Sequence, residues 1–191
     1  MASSTRQSQQ TQQAPLTADD LFALSDTHEK CELVKGELPR MVLAGGEHGK
    51  FIARLSRLLD EYVEAQNLGV VCGAQAGYVL QKDPDTVRAP DASFVATAHL
   101  PPAGIPKDYW PFAPDLAVEV VAPADPFEAM QTKVAEYFSA GTRLVWVVEP
   151  ATRTIFVYRS LHDVQALGDT DELDGGEVID GFRCPVKRVF D

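Results

Sequence analysis

Three charged side chains in the second half of the chain have the residue types that metal-assisted hydrolysis needs. Glu119 lies at the centre of the apolar run in "PDLAVEVVAPAD", and Asp91 begins a predicted strand in "RAPDASFV". Lys133 lies one helical turn before Tyr137 in the next predicted helix, so the two share a face. Mg²⁺ prefers oxygen ligands, and a nearby lysine can stabilise charge that develops on a phosphate. The set therefore matches what metal-dependent phosphodiester hydrolysis requires.

Each of these residues also has an ordinary structural explanation. An ionised carboxylate in an apolar strand costs several kcal/mol unless it is paired, so Glu119 could face solvent at a strand end or pair with an arginine. Asp91 after proline is a common turn pair, and a lysine on a helix usually belongs to the solvated surface. The residues alone leave both interpretations open.

The elements that must position these groups follow from the hydrophobic pattern. Their order is helix, hairpin, helix, a run of strands, helix and strands, which predicts an α/β or α+β fold with one mixed sheet packed by helices. Neither "LAVEVV" nor "LVWVV" alternates, so both are predicted in the middle of the sheet. The predicted elements are a helix in "LTADDLFAL" with Thr17 as N-cap, a hairpin around Lys35-Gly36, a helix in "EHGKFIARLSRLLDEYVEAQ", strands in "GVVCG", "AGYVLQ", "VRAPDASFVA", "LAVEVV", "RLVWVVEP" and "TIFVYRS", and a helix over about 126–140.

Three further segments complete the sequence pattern. The helix over about 126–140 has a predicted apolar stripe, and Gly141 is its predicted C-cap. Residues 97–114 carry five prolines and are typical of a long surface loop, and "GDTDELDGGE" is predicted to be a solvated turn. The stripe consists of Phe127, Met130, Val134, Tyr137 and Phe138.

Composition restricts the class of protein. The 191 residues suffice for one domain, predicted over 15–191, after a disordered Ser/Thr/Gln-rich tail over 1–14. The tail has no apolar core of a secretory signal and no apolar run is long enough to span a bilayer, so we expect a cytoplasmic protein. Three widely spaced cysteines predict buried thiols rather than a zinc site or disulfides.

The charge balance opposes nucleic-acid binding. The net charge is −11, with 28 acidic and 17 basic residues, and a field of that sign repels a polyanion. Lys50, Arg54 and Arg57 on the long predicted helix form the nearest approach to a basic stripe. Any contact with nucleic acid is therefore expected to be weak and sensitive to salt.

Several segments, in this order and spacing, resemble the Uma2 family of the PD-(D/E)xK restriction-endonuclease-like superfamily. They are "CELVKGEL", "EHGKFIARLSRLL", "RAPDASFV", "PDLAVEVVAPAD" and "KVAEYFSAGTRLVWVVEPATRTIFVY". The resemblance extends from about Leu16 to Tyr158. It implies a central mixed sheet flanked by helices.

The resemblance also implies roles for particular residues. Asp91 and Glu119 would be metal ligands, together with the backbone carbonyl of Val120. The superfamily lysine normally lies two positions after the glutamate, where this chain has Val121, and the resemblance suggests that Lys133 replaces it. The family usually has serine where this chain has Ala122, which weakens the expectation of full activity.

Four further residues are weaker candidates for the site. His48 opens the long helix in a motif that the family shares, and it is either an accessory group or an ordinary surface histidine. Glu32 and Glu37 flank Gly36 and are alternative acidic partners, although such a pair is ordinary in an exposed hairpin. Tyr137 is accessory because it shares the helix face of Lys133.

The leading hypothesis is a Mg²⁺- or Mn²⁺-dependent endonuclease that acts on nucleic acid, with DNA the expected substrate, through metal-activated water. Asp91, Glu119 and Lys133 would be its catalytic residues. One alternative is an interaction module that kept the fold and lost efficient chemistry; another is a metal hydrolase of a small phosphorylated molecule, although the chain lacks a phosphate-cradling glycine loop. A homodimer is expected only by analogy with nucleases that cut two strands.

Overall fold

The computed structural model describes residues 14–24, 31–39, 44–123 and 125–191. Apart from Ala14, the tail expected over residues 1–14 lies outside these described residues. The helices are α1 (Ala18–Leu24), α2 (Gly46–Gln66), α3 (Phe127–Ser139) and α4 (Lys187–Phe190). The strands are β1 (Gly69–Gly73), β2 (Tyr78–Gln81), β3 (Thr86–Arg88), β4 (Ala92–Ala96), β5 (Leu116–Val120), β6 (Leu144–Glu149), β7 (Thr154–Ser160), β8 (Asp163–Leu167), β9 (Glu172–Asp174) and β10 (Arg183–Pro185).

A six-stranded mixed sheet lies at the centre, in the order β1-β4-β5-β6-β7-β8. The β5–β6 pair is parallel and α3 forms its crossover, whereas the other neighbours in this sheet are antiparallel. The predicted fold class is therefore confirmed. The prediction that β5 and β6 lie mid-sheet is also confirmed, and their continuous apolar character follows from burial on both faces.

The two faces of β5 pack against different helices because side chains alternate along a strand. Leu116, Val118 and Val120 join the core beneath α2. Ala117 instead joins a second core with Met130, Val134 and Tyr137 of α3. Glu119 has the same parity as Ala117, so its carboxylate points to the α3 face. Each fully buried large apolar side chain contributes about 1.5–3 kcal/mol.

Helix α2 confirms the strongest periodic pattern in the sequence. Its buried residues are Phe51, Leu55, Leu58, Leu59 and Val63. No helix in the described ranges is long and apolar enough to cross a membrane.

The three basic residues on α2 already have partners within the protein. Lys50 Nζ donates to the carbonyls of Phe190 (3.4 Å) and Asp191 (3.2 Å), and Arg54 donates to the carbonyl of Val189. Arg57 pairs with Glu61 on its own helix. Cations near the last carbonyls of a helix satisfy its end, so two of the three residues anchor the C-terminus of α4.

The N-terminal segment confirms one turn and one cap. The Thr17 hydroxyl accepts from the Asp20 N–H at 3.1 Å, and Asp20 accepts from the Thr17 N–H at 2.9 Å. Lys35 and Gly36 both have positive φ in a tight turn closed by an antiparallel Val34–Glu37 bridge. Among the described residues 31–39 the predicted hairpin otherwise forms only single bridges, because Leu33 bridges to Val87 of β3 instead of extending a local ladder.

Three sequence predictions need correction. The strand expected over "VRAPDASFVA" is two strands, β3 and β4, because Pro90 lacks an N–H and interrupts the ladder between sheets. The acidic segment "GDTDELDGGE" contains β9, whose Leu173 is fully buried. Phe127, the first residue of α3, is 79% exposed, and the core that the described residues form against α3 begins only at Met130.

The predicted end of α3 is confirmed, but the predicted burial of the three cysteines is confirmed only for Cys184. Gly141 follows α3 with φ +103°, as a residue at this helix end requires. None of the cysteines is in a disulfide, but only Cys184 is buried, whereas Cys31 and Cys72 are partly exposed.

Candidate active site

The carboxylate of Glu119 is held by two side chains of α3. Glu119 is 4% exposed; Lys133 Nζ lies 3.0 Å from its Oε2, and the Tyr137 hydroxyl donates to its Oε1 at 2.7 Å. The i, i+4 spacing of Lys133 and Tyr137 places both on the helix face that covers β5. The parallel crossover from β5 through α3 therefore brings the three groups together.

Burial controls the protonation of this trio. Burial raises the pKa of the Glu119 carboxyl; the Lys133 ammonium lowers it, and Asp91 raises it again, so that the net shift is upward. Burial lowers the pKa of Lys133, but the carboxylates of Glu119 and Glu32 outweigh it and raise that pKa. Burial also raises the pKa of Tyr137 well above its usual value. Lys133 is therefore a stable cation and Tyr137 a neutral donor.

Asp91 and His48 meet at the backbone of Val120. The Val120 N–H donates to Asp91 Oδ2 at 2.8 Å, and His48 Nε2 lies 2.8 Å from the Val120 carbonyl oxygen. His48 Nε2 is also 3.6 Å from Asp91 Oδ2. Pro90 ends the ladder before β4 and the first turn of α2 supplies His48, so two distant segments converge on the end of β5. The structure thus places all six predicted site residues in one region.

A second group of charges contacts this region: Glu32, which the sequence offered only as an alternative acidic partner, and Arg88 and Glu136, which the sequence did not single out. Glu32 is 3% exposed; its Oε1 is 3.3 Å from Lys133 Nζ, and its Oε2 accepts from Arg88 at 2.7 Å. Arg88 also pairs with Glu136 at 2.6 Å. Burial raises the pKa of Glu32, but Lys133 and Arg88 together hold it below its usual value.

These contacts correct the interpretation of the hairpin glutamates. Glu37 is exposed, as expected, but Glu32 is buried because Leu33 is bridged to β3 and draws the segment onto the sheet. One signal was present in the sequence: Arg88 is a charged residue within a short strand, just before Asp91. Its partners lie 56 and 48 residues away, so no local spacing identifies them.

The oxygen atoms that this site offers are of the type that a hard divalent cation binds. Asp91 and Glu119 offer carboxylate oxygens, and Val120 offers a backbone carbonyl with a second lone pair beside its hydrogen bond to His48. Only two of these donors are ionisable side chains, and within the described ranges no group of three or more His, Cys, Asp or Glu residues is arranged to hold a metal. The set therefore resembles the Mg²⁺ sites that use one or two carboxylates with waters and substrate oxygens.

Comparison with known families identifies the chain. The sequence model of the Uma2 family, described as "Putative restriction endonuclease", matches residues 18–187. The chain belongs to the Uma2 family. The match includes every candidate residue of this Uma2 site, from Glu32 to Tyr137.

The fold of the Uma2 chain is also that of a solved structure. It is similar to a crystal structure described as a "putative nuclease belonging to DUF820" from Anabaena variabilis ATCC 29413, with a TM-score of 0.79 and 18% sequence identity. The similarity covers 92% of this chain and 98% of that one, which establishes the shared restriction-endonuclease-like fold. A comparison with curated proteins found no match.

Proposed function

We propose that this Uma2 chain is a nuclease that depends on Mg²⁺ or Mn²⁺, with Asp91, Glu119 and the Val120 carbonyl as metal ligands. The observation that carries the proposal is the Lys133 ammonium, 3.0 Å from Glu119 at the end of β5. There, the backbone of Val120 also meets Asp91 and His48. A purely structural ion pair would need neither the second carboxylate nor the contact between carbonyl and imidazole.

A bound divalent cation supplies a more acidic water and neutralises charge on a phosphate. The protein groups have separate tasks around it. Lys133 holds its proton because Glu119 and Glu32 raise its pKa, so it can face the charge that develops on a scissile phosphate. The Tyr137 hydroxyl orients Glu119, and His48 fixes the direction of the Val120 carbonyl.

The overall negative charge of the protein limits its affinity for nucleic acid. With a net charge of −11, and with Lys50 and Arg54 bound to α4 carbonyls, long-range attraction to phosphates is small. We infer that the protein binds DNA weakly and with strong salt dependence. A homodimer that engages two strands would raise the apparent affinity.

The proposal is tested by cleavage of supercoiled plasmid and single-stranded DNA at low salt, with Mg²⁺, Mn²⁺ or EDTA. Wild type is compared with Glu119→Gln and Lys133→Ala. Matched controls are Glu128→Gln and Lys107→Ala, which change exposed residues of the same types. We expect cutting by wild type and both controls, none in EDTA, and none by the two site variants.

Other results would reject the proposal. Cutting that survives both site substitutions would come from a contaminant. A wild-type protein that does not cut, and that binds no Mn²⁺ by calorimetry, would instead be an interaction module with the nuclease fold.

A further inference from the structure

A cavity beside Lys133 plays no part in the chemistry described above. Its volume is about 380 Å³, at the lower end of the range for small-molecule sites. One part of its lining comes from the segment around the Lys35-Gly36 turn and consists of Val34, Leu38 and Pro39. Another part comes from α3 and consists of Ala129 and Thr132. Because Leu38, Pro39, Ala129 and Thr132 are all exposed, a ligand can enter without unfolding any element.

Charge at the inner end of the cavity selects against a phosphate. Its two cations, Arg88 and Lys133, are already shared among three carboxyl groups, those of Glu32, Glu119 and Glu136. Glu37 adds a further carboxylate to the lining. An anion inside the cavity would meet at least as much negative as positive charge, so the cavity itself favours an uncharged ligand. The phosphodiester of the proposed reaction would lie outside the cavity, on the side of Lys133 that faces Glu119 and the proposed cation.

The arrangement of Arg88 favours a flat ligand. Nε and Nη2 point at Glu136, at 2.7 and 2.6 Å, and Nη1 points at Glu32 at 2.7 Å. These contacts occupy the edges of the guanidinium. Arg88 is only 7% exposed but lines the cavity, so what it offers a ligand there is the guanidinium face or the apolar stem. Guanidinium planes and apolar side chains are what unpaired bases stack upon.

We propose that this cavity binds one unpaired base of the substrate, next to the phosphodiester that faces Lys133. The inference rests on the proposed function, which supplies the nucleic acid, and it names the substrate class as single-stranded or locally unpaired. A base within a duplex would first have to leave the stack, at a cost of a few kcal/mol. Binding through a base also suits an acidic protein, since stacking does not depend on phosphate contacts.

The test is binding of fluorescein-labelled nine-nucleotide single strands, DNA and RNA, with an abasic residue at each internal position in turn. Fluorescence anisotropy at low salt measures affinity for wild type, Ala129→Phe and Ser139→Phe. The first variant fills the cavity. The second makes a comparably large change at an exposed residue of the same helix, outside the cavity lining. Chemical unfolding confirms that both variants are folded.

For wild type we expect one or two positions where the abasic residue weakens binding by about 10-fold, as loss of one stacked base does. Ala129→Phe should weaken binding of the intact strand by a similar factor and abolish the position dependence, whereas Ser139→Phe should keep both. A flat abasic profile in wild type, a profile unchanged by Ala129→Phe, or no binding of any strand would overturn the inference.

Cleavage of the same strands with Mg²⁺ or Mn²⁺ separates this inference from the proposed function. If wild type shows the position-dependent binding but cuts nothing, the catalytic proposal fails and the base site stands. If wild type cuts but its abasic profile is flat, the nuclease stands and the base site is rejected.

Discussion

Strand β5 has a buried carboxylate at each end, and the partners of the two carboxylates differ in how deeply they are buried. Asp115, directly before the strand, and Glu119, near its end, are each 4% exposed. Asp115 accepts from the Ala96 N–H at 2.8 Å and from the half-exposed His99 at 2.9 Å, with Arg143 at 3.4 Å. Glu119 instead faces Lys133 and Tyr137, both from one helix face.

The difference separates a structural carboxylate from a candidate functional one. At Asp115 a backbone amide of β4, the half-exposed His99 imidazole and the partly exposed Arg143 guanidinium join the sheet to its flanking loops. At Glu119 both side-chain partners are more deeply buried and come from one helix face, a second carboxylate raises its pKa, and a cavity opens beside Lys133. Equal burial of the two carboxylates therefore does not identify a site; the burial of their partners and a neighbouring carboxylate do.

The largest expected effect is a difference in cleavage rate between substitutions at the two ends of β5. Glu119→Gln should lower the rate of DNA cleavage by at least about 10³-fold, because several kcal/mol of transition-state stabilisation depend on the groups at this carboxylate. Asp115→Asn should keep the rate of the folded protein within about 3-fold of wild type, because it lies at the opposite end of β5. Initial rates, corrected for the folded fraction, measure both. Loss of cutting by folded Asp115→Asn would contradict the distinction.

The next effect is on stability at the Glu119 end of β5. Glu32→Gln should lower the free energy of unfolding by roughly 3–5 kcal/mol, because it leaves Arg88 and Lys133 with too little negative charge in a buried site. Glu37→Gln, an exposed glutamate of the same turn, is the matched control and should change it by less than about 0.5 kcal/mol. Urea unfolding measures both, and a neutral Glu32→Gln would show that the network carries no stability.

The stability difference between wild type and Glu32→Gln should depend on pH. Lys133 and Arg88 hold the pKa of Glu32 below its ordinary value of 4.5, against the opposing effect of burial. A lowered pKa means that the contribution is fully present above pH 4.5 and is lost as the pH falls through the folded-state value. Urea unfolding of both proteins from pH 7 downward should show the gap constant at first and then closing. A gap that widens in acid would reverse the assigned shift.

A smaller effect is expected at the structural end. Asp115→Asn should cost roughly 1–3 kcal/mol of unfolding free energy, because an amide only partly replaces the buried acceptor of Ala96, His99 and Arg143. Thermal and urea unfolding measure it. A larger loss than that of Glu32→Gln would reverse the ranking of the two ends.

The smallest effect concerns a single partner of Asp115. His99→Ala should change the unfolding free energy by less than about 1 kcal/mol, since the His99 side chain is 52% exposed and solvent screens the pair. The matched substitution at the other end, Tyr137→Phe, removes a hydroxyl from a fully buried partner of Glu119 and should cost more. Side-by-side urea unfolding decides the order.

Much of the fold was predictable because its signals are local. Four features each depend on neighbours along the chain: the 3.6-residue pattern of α2, the Thr17 cap, the Lys35-Gly36 turn and the lack of polar alternation in β5 and β6. Glu119 could be singled out for the same reason, since a carboxylate within such a strand is costly wherever the strand lies. Phe127 was assigned wrongly because periodicity reports a helix face but not how far the opposing sheet extends.

The sequence by itself determined the order of elements, the sheet's central strands and the residue types that can hold a cation. Only the tertiary structure decided that Lys133 reaches both Glu119 and Glu32, and that Glu32 is buried against Arg88. These contacts join residues 14 to 101 positions apart, and their distances follow from how α3 and the N-terminal turn pack on the sheet. Local propensity specifies an element; the packing of one element on another specifies a site.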